Sequence, residues 1–386
     1  MQDLSPIDAA AEASLRALLN ALIDQHAGRV IVPPLEARSG FWFGGGNIAQ
    51  APDGTLWLVG RYRVAGDSRT GVGAGERGKA LALFASSDGG ATFEKVREWS
   101  KTELQAYGAP VLSIEGSALR FAPDGGCELF VSMERDAAYP AEVTGFQKPG
   151  TGVWSIDVCR AESPQQLDAN DMRNIPLNPA PSVEHPEAHA VDPAYLHIKD
   201  PVVFDTDAGD TVLIFCSHPF CWSSSNSGFA VRPAGAERFQ LRSYEMIARG
   251  PAWDVAGTRI TARMPVPRVG RFAELPPMGV FFYDGLECVR PHEQHSQAVA
   301  RPRGYSCEEL GGACYGRDAA FPRLTRLSRL RPMFVSPHAT GCSRYVDVCS
   351  GPDGLLATWQ QARPDGAQPL VGHALSWEQV GGLLSS

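Results

Sequence analysis

The feature that most constrains this chain is a repeat. An Asp-Gly-type turn followed by an apolar strand occurs five times in the 386 residues: Asp53-Gly54 before TLWLVG, Asp124-Gly125 before CELFVS, Asp207-Ala-Gly209 before TVLIFC, Asp284-Gly285 before LECV and Asp353-Gly354 before LLATWQ. The turns recur about every 70–80 residues, the spacing of a repeated supersecondary unit. A short strand precedes each turn (NIAQ, SALRF, PVVF, GVFF, YVDVC), so each unit reads as a hairpin, and runs such as ALALFA, GVWSIDV and GFAVRP extend it. A small sheet cannot bury both faces alone, but five stacked around an axis cover one another. The predicted fold class is all-β, a five-bladed β-propeller, with a sandwich of two sheets as the alternative. Residues 7–26 form the one convincing helix, with Ala10, Leu15, Leu18, Leu19, Leu22 and Ile23 on one face and Gly28 just past its end. Residues 1–30 are therefore expected to be a helical appendage and 31–386 a single propeller domain.

Composition fits this reading and narrows the partners. With 40 Gly and 30 Pro in a chain 44% hydrophobic, many short strands and turns are expected rather than a helical bundle. A net charge of −8 argues against nucleic acid and against a polybasic membrane patch. No apolar run reaches transmembrane length, and residues 1–6 lack the basic and apolar regions of a signal peptide. The nine cysteines are odd in number and scattered, which reads as reduced thiols in a cytoplasmic protein. The expected partner is a small molecule, and the oligomeric state is left open. Gly71-Val-Gly73-Ala-Gly75 lacks the Lys-Ser/Thr and helix of a phosphate loop, and reads as a loop over the site. His185 and His189 have metal-ligand spacing but lie in a Pro-rich stretch. No metal or cofactor is expected. RLTRLSRLR, Arg323 to Arg331, reads as a strand with a solvated face.

Propeller geometry sorts the polar residues. The first strand of each blade begins, and the second ends, on the same face, because the two form an antiparallel hairpin. Residues at those positions should converge on the central channel. They are Trp42, Asn47, Arg61 and Arg63 from blade one, Glu115 and Glu134 from blade two, and Lys199, Asp200, His218 and Trp222 from blade three. Blade four offers Glu274, and blade five His338, Arg344 and Gln361. Carboxylates at strand entrances among arginines and aromatics suggest a pocket for a polar substrate. Arg61 and Arg63 share a strand face and could grip an anionic substituent. Trp222 could supply an apolar stacking face, although a tryptophan near a serine-rich turn is more often core, and His218 could donate to a substrate hydroxyl or be a buried structural histidine.

Several segments resemble known propellers. Ser86-x-Asp88-x-Gly90-x-Thr92-Phe93 is similar to the Asp box of sialidases, a turn motif that reports architecture rather than chemistry, and HALSWEQV (373–380) looks like a degenerate copy. SIEGSALRF, HIKDPVVF and AELPPMGVFF resemble the blade-entering strands of the arabinanase, xylosidase and invertase group of five-bladed glycoside hydrolases. That resemblance implies Glu115, Asp200 and Glu274 as catalytic carboxylates. It departs in blade one, where Asn47 stands in place of the group's usual acid and the acids are displaced by one blade. Glycoside cleavage needs an acid to protonate the leaving oxygen, and a carboxylate to attack the anomeric carbon or activate water. The expected activity is removal of a terminal sugar from a small, possibly anionic, oligosaccharide or glycoside. The alternatives are a sialidase-like or lyase-type enzyme on a uronate or sialate, and a non-catalytic sugar-binding propeller.

Overall fold

A computed structural model describes residues 7–64, 77–105, 110–139, 141, 144–147, 149–175, 177–178, 197–218, 225–287 and 309–385. The chain opens with helix α1 (Ala9–Leu22) and strand β1 (Arg29–Val32). Blade one follows, its inner strand broken into β2 (Trp42–Gly44) and β3 (Ile48–Gln50), then β4 (Leu56–Arg63), β5 (Ala80–Ser86) and β6 (Glu94–Ser100). Blade two is β7 (Val111–Phe121), β8 (Cys127–Arg135), β9 (Val153–Ala161) and β10 (Arg173–Asn174). A short strand β11 (Leu177–Asn178) runs parallel to the outer edge of blade three, which comprises β12 (His197–Asp205), β13 (Thr211–His218), β14 (Asn226–Arg232) and β15 (Phe239–Ile247). Blade four is β16 (Gly257–Pro265), β17 (Met278–Leu286), β18 (Leu310–Arg317) and β19 (Thr325–Arg326). Blade five is β20 (Ser343–Ser350), β21 (Gly354–Gln361) and β22 (Leu370–Ser376), followed by helix α2 (Trp377–Ser385). Strand β1 pairs antiparallel with β22 as the fourth strand of blade five, so the start of the chain closes the last blade. It also straddles the expected boundary at residue 30.

The inner strands pack in the cyclic order β3, β7, β12, β16, β20 and back to β3. Five apolar clusters fill the five interfaces between neighbouring blades. In β13, Leu213 and Phe215 face blade two, whereas Val212 and Ile214 face blade four. Side chains alternate along a strand, so a blade buried on both faces needs a continuous apolar run. That is why TVLIFC and TLWLVG carry no polar alternation. The fold is a five-bladed β-propeller, as the repeat predicts.

Four of the repeat turns form the hairpin between first and second strands, with Gly54, Gly125 and Gly209 at φ 87°, 92° and 82°. Blade four departs. Asp284 and Gly285 lie inside β17, and GVFF is its second strand; the inner strand is GTRITARMP. Its polar, Arg-rich composition hides it, and the inner hairpin is the long connection 266–277 with no Asp-Gly turn.

The helices differ in part from expectation. Helix α1 is shorter than 7–26, capped by Asp8, whose Oδ1 accepts from Ala11 N at 2.7 Å. It packs on α2 and shares the core cluster between blades four and five. HALSWEQV is no turn motif: it ends β22 and starts α2 through a capping box. Ser376 N donates to Gln379 Oε1 (2.8 Å) and Gln379 N to Ser376 Oγ (3.3 Å). The Asp88 segment does form the turn between β5 and β6, where Asp88 accepts from Thr92 N, Thr92 Oγ1 and Ser86 Oγ. RLTRLSRLR contributes only the two-residue β19, with Leu327 and Ser328 buried. The six described cysteines are buried. No helix of the described residues is long and apolar enough to cross a membrane.

Candidate active site

Each inner strand is interrupted at one level. In β7, Glu115 and Gly116 stand opposite a single residue of β8; in β12, Asp200 and Pro201 do so against β13; in β20, Tyr345 and Val346 do so against β21. Strand β16 bulges at Thr261, and blade one has the gap Gly45–Asn47 between β2 and β3. Bulges bend a strand and re-aim its side chains. Together they open a small axial cavity of about 10 Å³ lined from all five blades, by Gly45 and Gly46, Gly116 and Ser117, Asp200 to Val202, Ile260 and Thr261, and Tyr345. The enclosed space is about that of one water molecule, far below the ~300–1,000 Å³ of drug-sized ligand pockets, so a larger group would sit at its mouth.

Two cavity residues hold left-handed backbone: Asp200 at φ 55° and Tyr345 at φ 52°. For Asp200, directly before Pro201, such a conformation is disfavoured and must be held by its surroundings. Its Oδ1 accepts from Gly116 N at 2.9 Å and its Oδ2 from Arg259 Nη1 at 3.2 Å, while its own N donates to Ser132 Oγ at 3.1 Å. A Cβ on Gly116 would lie 2.4 Å from Asp200 Oδ1, so the Glu-Gly sequence is needed for this approach. Glycine is also required at position 45, at φ +72°, where a Cβ would lie 1.7 Å from Arg61 Nη1.

The cavity is ringed by ion pairs. Arg61 Nη2 reaches Glu115 Oε2 (3.4 Å) and Tyr345 Oη (3.2 Å), and Ser113 Oγ donates to Glu115 Oε1 (2.7 Å). Burial by itself would raise the Glu115 pKa, but Arg61, Lys199 and Arg63 outweigh it and bring it to about 2. Arg259 donates to Asp200, to Asp284 Oδ2 (2.7 Å) and to Glu309 Oε2 (2.7 Å); Arg344 also binds Glu309. Asp284 accepts from Tyr345 N at 3.1 Å. Burial pushes the Asp284 pKa up against the pull of Arg259. Glu309 is moved the other way: burial raises it, but Arg259 and Arg344 dominate and hold it well below the carboxylate range. The Tyr345 ring packs against the guanidinium groups of Arg259, Arg61 and Arg344, at 4.0, 5.3 and 5.4 Å from its centroid. Among the described residues no group of three or more His, Cys, Asp and Glu is arranged to hold a metal ion.

No family model matches the sequence, and no curated protein does. Solved structures do. A provisionally assigned glycoside hydrolase from Bacteroides ovatus aligns with a TM-score of 0.52 at 11% identity, over 89% of this chain and 93% of its own. The arabinanase of Bacillus subtilis aligns at 0.48, with 12% identity over 90% and 97%. A family-43 enzyme of Xanthomonas citri, solved with xylotriose, aligns at 0.49, with 11% identity over 94% and 93%. The fold is that of the five-bladed propeller glycoside hydrolases.

The structure brings together most, but not all, of the residues sorted from the sequence. Glu115, Asp200, Arg61 and Arg344 meet at the axis. Lys199 lies beside them with Nζ 4.7 Å from the Trp154 ring centroid; burial lowers its pKa, but Asp200 and Glu115 raise it further. Arg63 and Arg344 both lie over the Trp42 ring at 4.4 Å, so the indole serves as a platform for guanidinium groups. Five residues stand elsewhere. Glu274 is exposed on the connection between β16 and β17, at the far end of the blade from Arg259, because the inner strand precedes it rather than follows it. Asn47 is turned to blade two, pairing both ways with the Leu119 backbone (2.9 and 2.8 Å). Glu134 is sealed from solvent, held by Arg77 (2.7 Å) and Gly152 N (2.8 Å). Gln361 donates to Gln25 O, and His338 is half-buried in a loop. Trp222 and the His218 side chain, like the 71–75 glycines, His185 and His189, lie outside the described residues. Sequence reasoning missed Arg259, Asp284, Glu309 and Tyr345. The first three went with the misassigned blade-four strand. Tyr345 was concealed by the bulge, which aims two successive residues, Arg344 and Tyr345, at one site.

Proposed function

We propose that this protein is a glycosidase that removes a terminal sugar from a small glycoside at the axial cavity. The observation that carries the reading is the placement of Glu115 and Asp200 at bulges of adjacent inner strands, Asp200 in a left-handed conformation. Such strain gathers at functional sites. Glu115, ionised across the working pH range, would stabilise positive charge at the anomeric carbon, and Asp200 would orient or deprotonate water. A second reading, an arginine-bound uronate or sialate, has the guanidinium groups of Arg61, Arg259 and Arg344 around Tyr345 in its favour. Against it, each of these arginines already has a carboxylate partner.

Both readings are tested by one panel of aryl furanosides, pyranosides, uronides and sialosides. We expect hydrolysis of one neutral or acidic member, and a loss of about 10²–10⁴-fold in turnover for Asp200→Asn and Glu115→Gln. Wild-type protein inert across the panel, or amide variants with undiminished turnover, would refute the assignment.

A further inference from the structure

We propose that Tyr345 is the proton donor to the departing oxygen, an inference that rests on the glycosidase reading of the same cavity. The carboxylates of the site are all engaged as acceptors. Glu115 accepts from Ser113 Oγ and Arg61, Asp200 from Gly116 N and Arg259, Asp284 from Arg259 and Tyr345 N, and Glu309 from Arg259 and Arg344. Glu115, Asp200 and Glu309, locked as acceptors against arginines, are poor sources of a proton, and Asp284, whose pKa burial raises, does not line the cavity.

Tyr345 is placed differently. Its hydroxyl accepts from Arg61 Nη2 at 3.2 Å, and a guanidinium can only donate. The hydroxyl's own hydrogen bonds to no acceptor among the described residues. The ring lines the axial cavity, and its Cζ is 3.5 Å from where a Cβ of Gly45 would stand, which places the phenol end beside the open gap in blade one. The bulge in β20, the left-handed backbone and the bond from Tyr345 N to Asp284 fix the ring in this position. Burial raises the Tyr345 pKa, although Arg259 and Arg61 oppose it, so the phenol is protonated at neutral pH.

In the reaction the bond from the anomeric carbon to the glycosidic oxygen breaks, and that oxygen takes the Tyr345 proton. The phenolate forms among guanidinium groups already in position, which stabilise charge where it develops. A water oxygen bonds to the anomeric carbon, and its proton passes through the Asp200 carboxylate back to the phenolate. Atoms and charge balance, with water as the co-reactant.

The test uses the glycoside that wild-type protein hydrolyses, prepared as its 2,4-dinitrophenyl and phenyl forms. Only the phenyl leaving group needs protonation. Tyr345→Phe keeps the ring against the arginines and removes the proton. We expect kcat/KM to fall about 10²-fold or more on the phenyl form, and only a few-fold on the dinitrophenyl form. Independently of any variant, the wild-type rate on the phenyl form should decline at high pH as the phenol ionises, while the dinitrophenyl form shows no such limb. Equal losses on both forms, no loss on either, or a covalent sugar adduct on Tyr345 would overturn this role and leave the glycosidase reading standing. If wild type hydrolyses nothing, both fall.

Discussion

Asp347 is a carboxylate at an interface between blades rather than in the cavity. Its Oδ2 accepts from Ile48 N at 2.6 Å, tying the last blade to the first, and its side chain is buried. Burial raises its pKa and the Ile48 bond opposes this, leaving it at about 6 against an ordinary value of 3.8. A folded-state pKa above the unfolded one means that ionisation weakens the fold. The penalty is absent below about pH 4, accumulates between about 4 and 6, and is complete above 6. Two pKa units correspond to roughly 2–3 kcal/mol. Asp347→Asn keeps an oxygen to accept from Ile48 N and removes the charge. Denaturant melts should therefore show the variant gaining stability over wild type as pH rises from 4 to 7, by about that amount, with the two nearly equal at pH 4. A constant offset across this range would show that ionisation of Asp347 is not the cause. Asp200 obeys a different logic, since Gly116 N and Arg259 hold its carboxylate and its strain lies in the backbone.

Helix α2 shows what a short element owes to its ends. Nine residues do not make a stable helix alone; α2 persists because Val380 and Leu384 join the core with α1, and because Ser376 and Gln379 satisfy each other's backbone N–H. Ser376→Ala should lower the unfolding free energy by about 1 kcal/mol and leave the cavity unchanged, which a melt and a substrate assay together would check. The Ser-x-x-Gln pattern is legible in the sequence as a capping box. The strands differ in legibility. Blades one, two, three and five were legible because their inner hairpins turn at Asp-Gly or its variant. Blade four was not, because its inner strand alternates Arg259, Thr261 and Arg263 with buried Ile260, Ala262 and Met264 and no Asp-Gly turn follows it. Arg259 belongs to a buried ion-pair network there, to which apolar periodicity is blind. Glu115 and Asp200 were legible as carboxylates at strand entrances. The arginine that binds Asp200 came from a strand whose register only the hairpin partner fixes.

An open array of repeats can lose its end units one at a time, because each touches only its neighbours. This chain has no end unit: β1 completes blade five, and the apolar cluster between blades five and one closes the ring. Removing any blade exposes two interfaces at once, so partial unfolding is disfavoured relative to an array of the same blades. The buried thiols report on this because they are spread around the ring. Cys127 and Cys159 lie in blade two, Cys216 in blade three, Cys314 in blade four and Cys349 in blade five. Burial pushes their pKa values up to about 11 for Cys127 and Cys216 and about 12 for the other three. A thiol-directed reagent reacts with the thiolate, so each should stay unlabelled in the native protein. In rising denaturant, with sites resolved by peptide mass spectrometry, the five should become reactive over one common transition that coincides with loss of circular dichroism. Labelling of blade two or three at lower denaturant than blade five would mean that the ring opens before it unfolds, and that closure by β1 does not couple the blades.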